Sequence, residues 1–349
     1  MATTTIPTPT TAKPPAGGSF LLEESAPEAL FFPEDFSDEQ RQIADTASQF
    51  AANEVLPAAE AIEAKHFDTT RALLRKAGDL GLMAIDIPED YGGLAMDKVT
   101  SAIVADHLSK LASFSVAFSA HVGIGTLPIV WYGTDAQKSK YLPKLATGEW
   151  IGAYALSEAS SGSDAMNIRT RATLSADGSH YLLNGEKMWI TNAGFADLFT
   201  VFAKVTDPAD PNAPGKFSAF LIERNTSGLT IGGEEHKLGI RGSSTCPLIL
   251  SDCHVPAENL LGEAGKGHHI AFNILNIGRF KLGAACVGGA RTSLNNAITY
   301  SKERKAFGKS IADFGLIQQK LADSATRIYV GESMAYRTVG AIEIGRAHV

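Results

Sequence analysis

Hydroxyl, aromatic and basic side chains cluster in three short segments of this chain. The segments are residues 154–164, residues 184–192 and residues 303–309. Hydroxyl and backbone donors can bind the polar edge of a planar ligand, and an indole can cover its apolar face. The residue types alone leave an alternative open, because Trp189 could be an ordinary core residue and the hydroxyls could cap turns.

The cysteines and histidines lack the spacing of metal ligands. The sequence contains only three cysteines, none in a C-x-x-C pair: Cys246, Cys253 and Cys286. His268 and His269 follow a Gly-Lys-Gly turn and have no partner at ligand spacing, whereas His121 lies on an apolar helix. We therefore predict no metal site, reduced cysteines, and a core position for His121 with satisfied ring nitrogens.

Length, charge and hydropathy limit the classes of protein that fit this chain. Its 349 residues exceed the usual size of one hydrophobic core, and its net charge of -7 opposes binding to nucleic acid. No apolar run approaches the roughly 20 residues of a bilayer span, and the N-terminus lacks a secretory pattern. The prediction is a multi-domain cytoplasmic protein with no transmembrane segment.

Helical patterns dominate the first part of the chain. Residues 1–34 are predicted to form a disordered tail and linker, because residues 1–18 are poor in apolar side chains. Ser37 and Gln40 form the pattern of a capping box that begins a helix. Further helices are predicted at about residues 70–80, 99–111, 115–131 and 136–145. We assign residues 35–150 to an all-helical N-terminal domain.

Residues 151–262 are predicted to form a β domain, because short runs of β-branched and aromatic residues alternate with turn residues. The strongest runs are residues 181–183, 199–202 and 217–222, and residues 207–214 are predicted to form an exposed hairpin loop. Helical periodicity returns in residues 268–303 and 315–343. The predicted fold class is α+β and multi-domain: a helical domain, a central β-barrel-like domain and a C-terminal helical bundle in residues 263–349.

The three segments, in this order and on this pattern of elements, resemble the acyl-CoA dehydrogenase family from about residue 35 to residue 343. Residues 278–280, 314–318 and 332–336 are more similar to the very-long-chain group than to the medium-chain group. One departure is the pair Ala159 and Ser160, where the family usually has Pro-Gly. The loop is therefore expected to be less rigid.

The resemblance implies noncovalent FAD. It places Ser157 near the pyrimidine edge of the flavin, Thr191 near N5 and Trp189 beside the ring. The cofactor-binding residues that it implies are Tyr154, Ala155, Leu156, Ser157, Ser163, Trp189, Ile190, Thr191, Arg304 and Phe307. Arg304 is expected to reach the pyrophosphate of FAD in the other subunit of a homodimer. The implied substrate-binding residues are Ser163, Asn276 and Arg279.

The implied reaction converts a long-chain acyl-CoA to the trans-2-enoyl-CoA in fatty acid β-oxidation, with electrons passing to an electron-transfer flavoprotein. A carboxylate must take the α proton in a dry site. Two alternatives stay open: an oxidase that returns electrons to oxygen, and a non-catalytic family member that acts as an assembly or binding partner.

The catalytic glutamate of relatives lies either directly before the arginine of the first C-terminal helix or near the end of the bundle. The first position is Gly278 here, so the base is expected beyond Val349. Residues 344–349 also resemble a translated sequencing adapter. The sequence therefore predicts an inactive fragment with an incomplete bundle and uncovered apolar side chains at Leu282, Leu316, Ile317 and Leu321.

Overall fold

A computed structural model of the chain describes residues 31–206 and 215–343. Most of the predicted disordered tail, the predicted hairpin loop at 207–214 and the adapter-like residues 344–349 lie outside these ranges. Within them, a helical domain is followed by a mixed sheet and then by two long helices. This order confirms the predicted fold class.

Seven α-helices precede the sheet in the described part of the chain. They are α1 (Asp38–Phe50), α2 (Ala59–Glu63), α3 (Phe67–Asp79), α4 (Lys98–His107), α5 (Ala112–Ala120), α6 (Leu127–Tyr132) and α7 (Asp135–Ala146). The predicted capping box is present: the Ser37 hydroxyl accepts from the Gln40 amide at 3.1 Å, and the Gln40 side chain accepts from the Ser37 amide at 3.0 Å. Satisfying these amides stabilises the start of α1.

The helix predicted at residues 115–131 is divided by a π-helical turn, His121–Gly125. The His121 side chain is fully buried, its Nδ1 accepts from the Gly152 amide at 2.9 Å, and its Nε2 lies 3.0 Å from the Leu145 carbonyl. Nε2 is the donor, because Nδ1 is an acceptor only when it is unprotonated. The prediction of a satisfied core histidine is confirmed.

The neutral state of His121 predicts a loss of stability in acid. Burial lowers its pKa from 6.5 to about 4. Because the unfolded chain binds the proton more tightly, the full stabilisation is present above pH 6.5 and is lost as the pH falls towards 4, by on the order of 3 kcal/mol. The check is the free energy of unfolding against pH for the wild type and for His121→Gln. The difference in the free energy of unfolding between the two proteins should shrink as the pH falls from 6.5 to about 4. A difference that stays constant contradicts the prediction.

The strands of the central domain form one mixed sheet. They are β1 (Gly152–Ala155), β2 (Arg171–Leu174), β3 (His180–Thr191), β4 (Leu198–Thr206), β5 (Lys216–Glu223), β6 (Leu229–Ile231), β7 (Thr245–Pro256) and β8 (Leu260–Leu261). Their order is β6-β7-β3-β2-β4-β5-β8, and β1 pairs with β4 in parallel. The strands predicted at residues 181–183, 199–202 and 217–222 are confirmed within β3, β4 and β5.

The barrel-like closure predicted for this domain is wrong, because the described strands form an open sheet. The end strands, β6 and β8, have three and two residues and do not pair with each other. One face buries an apolar cluster that includes Phe199 and Val201. The other face packs Phe202 and Leu221 against helices. Helices therefore cover the second face, whereas the first face is buried by residues of the strands and the turns between them.

Two long helices complete the described chain. They are α8 (Gly267–Glu303) and α9 (Gly315–Glu343), and between them lies a short ladder of β9 (Lys305–Ala306) and β10 (Lys309–Ser310). Leu282 and Leu316 are 59% and 68% exposed, as predicted for an uncovered face. Ile317 and Leu321 instead line a groove of about 580 Å³ between the two helices.

Buried charges join these helices to the N-terminal domain. Asp86 accepts from Lys98 and Lys281, each at 2.6 Å, and from Ser101 at 2.5 Å. Asp86 and Lys281 are 4% and 3% exposed. We call Asp86, Lys98, Ser101 and Lys281 the Asp86 cluster. Because Lys281 belongs to α8, this cluster fixes α8 against α4 and the loop before it.

Two helical stretches among the described residues are long and apolar enough to cross a membrane, which differs from the sequence prediction. They are Ala112–Tyr132 and Gly267–Glu303. Within the most apolar window of each, 78% of the first and 39% of the second is buried inside the protein. Packing in the core accounts for the apolar composition of the first stretch.

Candidate active site

The first two segments, residues 154–164 and 184–192, meet in one cavity of about 370 Å³. The cavity lies between the ends of β1 and β3 and the first part of α8. Its lining contains most of the predicted site residues: Tyr154, Leu156, Ser157, Ser163, Trp189, Ile190, Thr191 and Arg279. Gly162 of the first segment also lines the cavity, and the lining residues that the sequence did not indicate are Ile124, Ala165, Phe272 and Leu275. Polar donors and a broad apolar wall are thus combined in one concave site.

Trp189 has an unusual backbone conformation and an exposed side chain. Its φ is 60°, in the left-handed region, and the side chain is 57% exposed. The pairing of β3 with β7 is irregular between Lys187 and Ile190, on either side of it. Residues held in this conformation occur at functional sites more often than elsewhere. The interpretation of Trp189 as an ordinary core residue is therefore wrong.

Tyr154 connects the sheet to α8. Its side chain is 7% exposed, and its hydroxyl donates to the Ala271 carbonyl at 3.2 Å. Burial raises the pKa of Tyr154, so the phenol stays neutral. With the hydroxyl already engaged, the ring contributes an apolar surface to the cavity.

The remaining predicted residues lie outside the cavity lining. Ala155 is buried in the sheet core, and the Asn276 side chain accepts from Arg279 Nη1 at 2.5 Å, which orients the guanidinium. Arg304 follows α8 and lies roughly 37 Å beyond Arg279 along a helix axis. Phe307 is 96% exposed with a φ of 51°. Neither Arg304 nor Phe307 lines the cavity of its own chain.

The loop after β1 is closed although it lacks the Pro-Gly of the family. The Glu158 and Ser161 backbones exchange hydrogen bonds of 3.0 and 3.1 Å. The Ser161 hydroxyl donates to the Asp164 carbonyl at 2.6 Å. These contacts restrain the loop and leave Ser163 exposed beside the cavity.

A buried ion pair that the sequence motifs did not predict lies behind the cavity. Lys187 Nζ lies 2.8 Å from Glu158 Oε1, and the two side chains are 0% and 5% exposed. Burial lowers the pKa of Lys187 to about 8, against the opposing effect of Glu158. Strand alternation could have indicated it, because a period of two places Lys187 on the same face as the buried Tyr181 and Leu183.

Small residues beside the cavity have two different roles. Gly123 is buried, yet a Cβ added there would meet no atom within 4 Å, so there is open space at this position. A Cβ at Gly125 would lie 2.7 Å from the Gly152 backbone, so that glycine permits close packing. A Cβ added at Gly278 would lie 3.5 Å from Ile124 Cγ2, an ordinary contact distance.

Carboxylates are absent from the described residues that line the cavity. No group of three or more His, Cys, Asp or Glu side chains that could hold a metal occurs in residues 31–206 and 215–343. The chemistry that the lining itself offers is hydrogen bonding, apolar contact and the positive charge of Arg279.

Three family models match the chain. They are the N-terminal domain of acyl-CoA dehydrogenase at residues 37–149, the middle domain at 153–253 and the C-terminal domain at 265–348. Since all three domains are represented, the predictions of an incomplete bundle and an inactive fragment are not supported.

Similar proteins and structures agree with these matches. A probable acyl-CoA dehydrogenase of Bacillus subtilis is 50% identical over 94% of this chain and 54% of its own length. The human very long-chain specific acyl-CoA dehydrogenase is 44% identical over 74% of this chain and 40% of its own length. An acyl-CoA dehydrogenase from Bacillus anthracis, complexed with FAD, has a TM-score of 0.91 and 51% identity over 95% of this chain and 56% of its own.

The chain thus spans about half the length of these relatives. Its three domains and their order agree with the family models. The chain belongs to the acyl-CoA dehydrogenase family.

Proposed function

We propose that this chain binds FAD and oxidises long-chain acyl-CoA thioesters to trans-2-enoyl-CoA products in fatty acid β-oxidation. The observation that carries the proposal is the cavity in which Ser157, Thr191 and the exposed Trp189 meet. The FAD named for the Bacillus anthracis relative supports the identity of the cofactor.

The lining residues fit a flavin ring. Ser157 and Thr191 contribute hydroxyl-bearing side chains to the cavity lining, and the Trp189 indole offers a flat apolar surface. Leu156 and Leu275 add apolar contacts, and the cavity volume of about 370 Å³ is within the usual range of ligand sites. When bound, FAD would supply the acceptor for a hydride from the β carbon of the substrate.

Residues on α8 and in the loop after β1 are proposed to hold the thioester substrate. Arg279, oriented by Asn276, offers a planar donor for phosphate or carbonyl oxygens, and Ser163 is an exposed residue of the same cavity lining. The open space at Gly123 leaves room for an acyl chain. The similarity to the human very long-chain enzyme supports a long-chain substrate.

A homodimer, an electron-transfer flavoprotein as acceptor and a cytoplasmic location complete the proposal. Arg304 and Phe307 lie outside the cavity of their own chain and are exposed. This position supports a contact with cofactor bound by a second copy. Phe307 also holds a φ of 51°, a conformation that a non-glycine residue adopts only under constraint.

Flavin titration tests the proposed cofactor. The chain should bind FAD, release it on acid precipitation, and show bleaching of the flavin absorption on addition of acyl-CoA.

Trp189→Ala should weaken FAD binding about ten-fold, because an aromatic contact and its buried area are lost. Trp131→Ala is the control, since Trp131 is 37% exposed and does not line the cavity. Equal FAD affinity in the wild type and Trp189→Ala would contradict the assignment.

One observation favours a second candidate, a non-catalytic family member that binds acyl-CoA. It is the lack of a carboxylate among the described lining residues. Acyl-CoA binding without flavin bleaching would support this candidate. An oxidase would bleach flavin and then recover its colour in air, whereas a dehydrogenase would recover faster with an electron-transfer flavoprotein.

A further inference from the structure

The ion pair of Glu158 and Lys187 lies directly behind the two segments that form the wall of the cavity. Glu158 immediately follows Leu156 and Ser157, and Lys187 precedes Trp189 in β3. Neither charged group lines the cavity. Any influence of the pair on a bound ligand must therefore act through the residues beside it.

Each partner is held by additional hydrogen bonds. The Glu158 carboxylate accepts from the Arg169 amide at 2.6 Å, the Thr170 amide at 3.1 Å and the Thr170 hydroxyl at 2.5 Å. Lys187 Nζ also donates to the Leu156 carbonyl at 3.2 Å. The pair thus joins the residues just before β2, the residue just after β1 and β3 at one buried point.

A backbone bridge completes this connection. The Met188 amide donates to the Ser157 carbonyl at 2.9 Å, between the ion pair and the cavity. Trp189 follows with its left-handed φ of 60°. Such a conformation persists only when the surrounding structure restrains it. The Lys187 side chain and the Met188 amide therefore tie the segment of β3 before Trp189 to Leu156 and Ser157, which follow β1.

A contribution to stability does not explain why a buried ion pair occupies this position. Two charges lose their hydration, and an apolar pair of similar volume often gives equal or greater stability. A directional lysine contact with Leu156 and Glu158 instead specifies one relative position of the two segments. A site for a rigid planar ring requires such a supporting layer.

We infer that Glu158 and Lys187 are positioning residues, which hold Ser157 and Trp189 in register for one rigid ligand, the isoalloxazine ring of FAD. This inference rests on the proposed function. The pair does not touch the ring; it aligns the hydroxyl and the indole that do. Loss of the pair therefore changes the environment of bound flavin as well as the stability of the fold.

The experiment compares Lys187→Met with Lys281→Met in the full chain. Lys281 is a matched control, because it is an equally buried lysine, 3% exposed, paired with Asp86 and absent from the cavity lining. In each variant the carboxylate keeps other donors: Arg169 and Thr170 for Glu158, Lys98 and Ser101 for Asp86. Thermal unfolding measures stability, and FAD titration with visible circular dichroism of bound flavin measures positioning.

Both variants should unfold at a lower temperature than the wild type. Only Lys187→Met should raise the Kd for FAD, by about ten-fold, and alter the flavin dichroism at saturating FAD. Glu158→Gln should show the same changes, since its single amide oxygen replaces only one of the two carboxylate oxygens. In the wild type, Oε1 accepts from Thr170 and Lys187 and Oε2 accepts from the Arg169 amide. Glu158→Gln also keeps the test decisive if Lys187→Met does not fold.

Two results would overturn the inference. One is wild-type FAD affinity and dichroism in folded Lys187→Met or Glu158→Gln. The other is an equal loss of FAD affinity in Lys281→Met, which would indicate a general effect of stability. Failure of the wild-type chain to bind FAD overturns the proposed function itself, and it is recognised by the absence of flavin dichroism before any substitution.

Discussion

Gly278→Glu is expected to accelerate acyl-CoA-dependent bleaching of bound flavin, because the described residues that line the cavity include no carboxylate. A general base usually contributes roughly 100- to 10,000-fold in rate, which is the upper range of the expected acceleration. Gly278 lies on α8 between Leu275 and Arg279, both of which line the cavity. A Cβ added at Gly278 makes an ordinary contact of 3.5 Å with Ile124. Glutamate also favours a helix by roughly 0.5–1 kcal/mol over glycine. The Cβ of the new side chain is therefore accommodated, and the substitution adds a carboxylate beside the cavity.

Gly278→Gln separates the charge from the size of the new side chain. Glutamine has the same length but cannot accept a proton at neutral pH, so this variant should bleach flavin at the wild-type rate. Rapid-mixing absorption measurements with a saturated long-chain acyl-CoA give both rates. A wild-type rate that Gly278→Glu does not exceed would show that the chain already has an effective base elsewhere. Equal acceleration by glutamine would exclude the proposed proton transfer.

Asp86→Asn is expected to destabilise the folded chain by about 3–5 kcal/mol, because it leaves Lys281 buried without a counter-charge. Burial alone would raise the pKa of Asp86, but Lys281 and Lys98 lower it to about 2. The carboxylate is therefore ionised at neutral pH. Its stabilisation is present above about pH 4 and is lost only as the pH falls towards 2.

The Asp86→Asn/Lys281→Met double variant is the control for this mechanism. Removing the buried ammonium together with the carboxylate should restore part of the stability lost in Asp86→Asn. Lys98 needs no such compensation, since its side chain is 19% exposed and can reach solvent. Calorimetric unfolding temperatures provide the comparison. A double variant that is less stable than Asp86→Asn would show that the loss does not come from an unpaired lysine.

Local features of the molecule could be predicted from the sequence. The helix that begins after Ser37, the strands around residues 181–183, 199–202 and 217–222, and the two long final helices all occur where periodicity and capping patterns predict them. His121 is a satisfied core residue, as its apolar surroundings indicated. Such features depend on neighbours within a few turns or strand positions, and the sequence contains that information directly.

The assembly of the site depended on tertiary structure. Residues near 124, 157, 189 and 279 become neighbours only when the helices pack on the sheet. The left-handed conformation of Trp189 depends on the irregular pairing of β3 with β7. Glu158 and Lys187 both lie in the segments found in the sequence. Their burial as an ion pair, however, depends on the packing of the loop after β1 against β3.

By itself, the sequence determined the class of fold, the order of its domains and the residue types available for binding. Only the tertiary structure decided that the sheet is open, that Gly123 borders empty space and that Lys187 is fully buried. The physical reason is that burial and unfilled space depend on contacts between residues far apart in the chain. Periodicity reports the face on which a side chain lies, but not the partner that covers that face.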